Sequence, residues 1–130
     1  MKKGYKDLEI YQLANDLAIQ VHKMTLDKLP KFEMFEEGGQ IRRSSKSIVS
    51  TIIEGYGRKH YQQEYIKFLT YALSSVDETK GHLEMLFFTG SLQDEKFFYD
   101  ILEKYNELGR KIFSLRAVIQ KSLRLEASSL

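Results

Sequence analysis

The sequence predicts an all-α protein folded as an antiparallel up-down-up-down four-helix bundle. Apolar residues recur at steps of three and four over four long segments, the spacing of one helical face. A single proline, Pro30, and few glycines leave little to interrupt regular structure, and the alternation with turn dipeptides that marks strands is missing. With 130 residues and an apolar fraction of 42%, the chain is the size of one domain, residues 1–130, and can bury a continuous core.

The first helix is expected from Asp7, a good N-cap, to Lys28, because Pro30 disfavours helical geometry in the residue before it. Tyr11, Ala14, Ala18, Val21 and Thr25 form one seam on it, with Leu13, Leu17 and Met24 beside them. The second helix is expected over 34–57, with Gly38 and Gly39 marking a kink or a late start. Ser44, Thr51 and Gly55 give it a ridge of small side chains along which a neighbouring helix can approach closely.

The third helix, expected over 62–89, carries a heptad seam of Tyr65, Leu69, Ala72, Val76, Thr79, Leu83 and Leu86. The fourth, expected over 93–124, repeats the alternation through Phe98, Ile101, Tyr105, Leu108, Ile112, Leu115 and Ile119. It begins after Ser91, which with Asp94 resembles a capping box. The short Gly90–Ser91 connection makes the last two helices antiparallel neighbours, and residues 1–6 and 125–130 are expected to fray.

Charge and residue types exclude several function classes. Twenty basic residues against 18 acidic ones give a net charge of only +2, so any polyanion binding must come from local clustering. The absence of cysteine removes disulfides, thiolate metal sites and cysteine nucleophiles. The N-terminal lysines are not followed by an apolar run, and no stretch approaches the roughly 20 apolar residues of a membrane span. The expectation is a cytoplasmic protein without a membrane partner.

No glutamate has a histidine three residues on, so the ligand set of di-iron bundles is missing, and no phosphate loop or nucleophile elbow is present. Neither a catalytic residue, a metal site nor a cofactor is expected. Glu78, four before His82, marks a polar contact at an inter-helix or inter-subunit seam, and Glu54 with Arg58 has the spacing of a helical ion pair.

One cluster remains. Between Gln40 and His60, Arg42, Arg43, Lys46, Arg58 and Lys59 face a single acid, Glu54, while Ile41, Ile48, Val49, Ile52 and Ile53 make the helix apolar on its other side. Lysine and arginine neutralise phosphates and release counterions, and Tyr56, His60 and Tyr61 offer rings on which unpaired bases can stack. Lys67 assists from the third helix. The competing reading of such a charge run is a solvated helix face. Consecutive aromatics at Phe87–Phe88 and Phe97–Tyr99 cannot all point inward, which leaves apolar surface for self-association.

DLEIYQLA at Asp7 to Ala14, LPKFE at Leu29 to Glu33, QIRRSSKSI and IIEGYGR in the second helix, and YIKFLTYALSSVDE at Tyr65 to Glu78 together resemble the 23S ribosomal RNA intervening-sequence protein family. The chain is similar also to the accessory protein of diversity-generating retroelements. It departs from the family pattern at Val49, where proline is common, at Thr51, where asparagine is common, and at Glu36 and Glu37, in place of glycine and leucine. The family resemblance implies a four-helix bundle assembled as a homopentamer, and the likeness to the accessory protein implies a role in holding RNA and a reverse transcriptase. The expected function is therefore a non-enzymatic homo-oligomer that binds RNA or DNA weakly through a repeated basic patch. The alternative is an interaction scaffold that docks an acidic polymerase-type protein without touching nucleic acid.

Overall fold

The computed structural model describes residues 4–129. Four α-helices fill it: α1 (Glu9–Asp27), α2 (Glu37–Gly57), α3 (Gln62–Phe88) and α4 (Glu95–Ser128), with 3-10 turns at Gly4–Asp7 and Lys31–Phe35. No strand occurs among the described residues. Side-chain pairs between helices run in opposite numerical order. Glu37 meets His82, Ser44 meets Thr79 and Ser47 meets Ser75 across α2 and α3. Arg116 meets Thr70 across α3 and α4, where Gly109 also lies against Val76. Lys28 meets Asp94 and Lys111 meets Glu9 across α1 and α4. These three pairs of helices therefore run antiparallel, which also sets α1 against α2.

All seven heptad residues of α3 are buried, as are the first five of the expected α4 series, while Leu115 and Ile119 lie half-buried against the core. Each fully buried leucine or isoleucine of this set contributes about 1.5–3 kcal/mol. The small-residue ridge on α2 works as its spacing implies. The Ser44 hydroxyl accepts a hydrogen bond from Thr79 at 2.9 Å, and a Cβ on Gly55 would stand 3.0 Å from the Phe68 side chain.

The helix ends differ from expectation for local reasons. Helix α1 starts one residue after Leu8 rather than at Asp7, because Asp7 closes the 3-10 turn of Gly4–Asp7. Helix α2 starts at Glu37 rather than at 34, since Lys31–Phe35 winds as a 3-10 turn. Gly38 and Gly39 make no break; both are buried in the first turn, where the 3-10 segment crosses closely. Ser91 is not the cap of α4. Asp94 is, accepting the Phe97 N–H at 3.0 Å, while Ser91 donates its hydroxyl to Glu33 at 2.6 Å.

Gly90 takes φ +84° in this turn, letting its N–H reach the Phe87 carbonyl and the Leu92 N–H reach that of Leu86. At the far end α4 does not fray at 125 but stays helical to Ser128. Leu123, Arg124, Leu125, Glu126 and Ala127 are all strong helix formers. Residues 4–6 of the expected N-terminal fray belong to the first 3-10 turn, and residues 1–3 and 130 lie outside the described residues.

Candidate nucleic-acid interface

The basic residues of the second helix divide into two groups. Sixteen residues separate Arg42 from Arg58, about 24 Å at 1.5 Å per residue, so the two groups lie at opposite ends of α2. Within the first group, Arg42 is half-buried and donates from Nη2 to the Met34 carbonyl, tying α2 to the 3-10 turn before it. Its Nη1 is buried without a partner. Arg43 and Lys46 are exposed. Ser47, which helical spacing sets on the same arc, turns instead to Ser75 of α3 at 3.2 Å.

The second group lies where α2 gives way to α3. Arg58 is the C-cap of α2, so it has left helical geometry and pairs with Glu64 at 3.0 Å rather than with Glu54. Its guanidinium also lies 4.9 Å from the centre of the Phe68 ring. Lys59 donates to the Tyr56 hydroxyl at 2.8 Å and covers that ring. Lys67 stands 3.8 Å from the same Glu64 and stays 51% exposed. Tyr61, between these side chains in sequence, is 72% exposed.

Helix α4 brings three further cations to this end, and the charge pattern of Gln40–His60 gave no sign of them. Arg116 donates to Thr70 at 3.1 Å, one turn from Lys67, and Lys121 and Arg124 follow at about 8 and 12 Å along the helix toward the start of α3. Their signal was present as the sequence RAVIQKSLR but needed the antiparallel pairing of α3 and α4 to acquire a place. At this end Lys6, Arg58, Lys59, Lys67, Arg116, Lys121 and Arg124 stand against Asp7, Glu9, Glu54, Glu64 and Glu126, in a chain with a net charge of +2.

Other polar groups serve the scaffold. His82 meets Glu37 through Nδ1 at 2.6 Å and Glu78 through Nε2 at 3.4 Å, a seam contact between α2 and α3. No group of three or more histidine and carboxylate side chains suited to a metal ion occurs among the described residues. Burial pushes the Tyr105 hydroxyl pKa up, and no hydrogen-bond partner meets that oxygen. No described helix is long and apolar enough to cross a membrane.

Fold and surface together define an antiparallel helical bundle with one cationic end. A family model described as 23S rRNA-intervening sequence protein matches residues 6–114, and the chain belongs to that family. Among solved structures it is similar to a protein of unknown function from the S23 ribosomal protein family of Bacteroides thetaiotaomicron. That likeness has a TM-score of 0.72 at 22% identity and covers 83% of this chain and 95% of the other. No curated protein matches.

Proposed function

We propose that the protein is a non-enzymatic homo-oligomer, of five copies as the family resemblance implies, that binds the phosphates of RNA or DNA weakly and without sharp sequence preference. The observation that carries this reading is that the antiparallel fold brings the α4 segment bearing Arg116, Lys121 and Arg124 to the same end of the bundle as Arg58, Lys59 and Lys67. Arg43 extends the cationic surface along α2, and Arg42 contributes mainly by holding the turn behind it. Exposed Tyr61 adds a ring for stacking on unpaired bases. One such patch is modest, and repetition on a rigid assembly multiplies its avidity.

Retention of a structured RNA by the purified protein should fall steeply with salt. Charge reversal of Lys59 and Lys67 together should weaken it about tenfold or more at low salt. Binding that ignores both salt and these reversals would sink the reading. Capture of a polymerase that survives nuclease treatment would instead favour an acidic protein partner on the same face.

A further inference from the structure

A groove of about 390 Å³ between α1 and α2 has an apolar floor of Ala18, Ile19, Val49 and Ile53. Ile19 is 49% exposed there. Lys23 and Lys46 stand at one end of the groove, and neither has an ion-pair partner among the described residues. His22 Nδ1 is buried beside them without a hydrogen bond.

The outer side of α3 complements this groove. Tyr71, Ser74, Glu78, Gly81 and Met85 succeed one another at steps of three and four opposite the buried heptad, and all are exposed. A Cβ on Gly81 would meet nothing within 4 Å. Glu78 touches His82 at 3.4 Å, yet its side chain remains 57% exposed.

We infer that a second copy of this chain fills the groove, its α3 laid along the floor with Glu78 between Lys23 and Lys46 and Tyr71 over Ile19 and Ile53. The inference rests on the homo-oligomeric reading above and names the surfaces that meet. Spacing supports it first: Glu78 and Tyr71 are seven residues apart, as are Lys46 and Ile53, about 10 Å in each case.

Height supports it for a ring whose axis runs parallel to the helices. Rotation about an axis parallel to the helices moves nothing along that axis, so a neighbour's α3 stands at the height its own contacts set. Within one copy Thr79 meets Ser44 at 2.9 Å and Ser75 meets Ser47 at 3.2 Å. Glu78 is therefore level with the turn that bears Lys46, and Tyr71, about 6 Å beyond Ser75, is level with Thr51. The same rotation keeps the neighbour's α3 antiparallel to α2, the direction in which Glu78 faces Lys46 while Tyr71 faces Ile53. Groove and stripe lie on different sides of the bundle, so the contact is heterologous, and a rotation that closes makes it a ring.

Light scattering over a dilution series of the full chain tests this. The unaltered protein should have a multi-copy mass. Lys46→Glu and Glu78→Lys should each raise the half-assembly concentration about tenfold or more, and the two together should recover most of the loss. Both positions are exposed, and circular dichroism checks that the helices persist. In this cysteine-free chain, Ile19→Cys with Tyr71→Cys should give an oxidised ladder of linked copies. A multi-copy protein that ignores both reversals and does not cross-link overturns the groove contact while leaving homo-oligomerisation standing. A monomer at every concentration overturns both. An unchanged mass with weakened RNA retention in Lys46→Glu gives the groove to phosphate and also overturns the inference.

Discussion

Gly38 has no room for a side chain. A Cβ there would stand 2.4 Å from the carbonyl oxygen of Glu33, a backbone atom that cannot swing aside. Gly38→Ala should therefore cost about 1–3 kcal/mol in denaturant unfolding. Gly57→Ala, where a Cβ meets nothing within 4 Å, should gain about 0.4–1 kcal/mol by restricting the unfolded chain. Glu33 itself is buried, accepting the Gly38 N–H through one carboxylate oxygen and the Ser91 hydroxyl through the other. Ser91→Ala leaves that second oxygen buried and unpaired, an expected loss of about 1–3 kcal/mol on the same assay. Tyr105 is the opposite case, since its buried hydroxyl already lacks a partner. Tyr105→Phe should be neutral, or stabilising by up to about 1 kcal/mol. A loss larger than about 1 kcal/mol in that variant would show the hydroxyl to be satisfied in solution.

Helix interiors were legible because burial follows periodicity. The α3 heptad could be read without error since all of its residues are buried, and Thr79, which bonds the Ser75 carbonyl, also reaches Ser44 of α2. Ends were less legible because they are decided by tertiary contacts. Ser91 looks like a cap by spacing, but the buried carboxylate of Glu33 claims its hydroxyl, and Asp94 closes α4 instead. The Lys28 ammonium, and then the Phe97 N–H, hold the Asp94 carboxyl below the usual carboxylate range. A folded-state pKa below the unfolded one means the ionised cap stabilises fully above about pH 3.9 and loses that contribution as pH falls through the folded value. Asp94→Asn retains a capping side chain but removes the charge. Its stability deficit against the unaltered protein, followed by thermal melts, should be present above about pH 5 and vanish on acidification. A deficit independent of pH would place the effect in geometry rather than charge.

Across the whole molecule, the charge pattern depends on topology that composition conceals. A net +2 over 130 residues looks neutral, yet the antiparallel fold carries the C-terminal part of α4, with Lys121 and Arg124, back to the end of the bundle where α3 starts. The candidate interface was thus half legible. Its α2 and α3 members follow from sequence neighbourhood, and its α4 members require the helix pairing shown by Arg116 and Thr70. The fold also separates Arg42 and Arg43 from the far end of the same helix, so the two basic groups make separable contributions. Each phosphate neutralised adds about −0.7 to −0.9 to the slope of log binding constant against log salt. Lys121→Ala and Arg124→Ala should each lower the magnitude of that slope by about 0.7–0.9, and together by about 1.4–1.8. Arg42→Ala, whose guanidinium bonds the Met34 carbonyl, should leave the slope nearly unchanged while lowering stability, because the bond that ties α2 to the preceding turn is lost rather than a phosphate contact. Equal slope changes in all three variants would mean that the phosphate path runs the length of α2 and that the Met34 bond opens on binding.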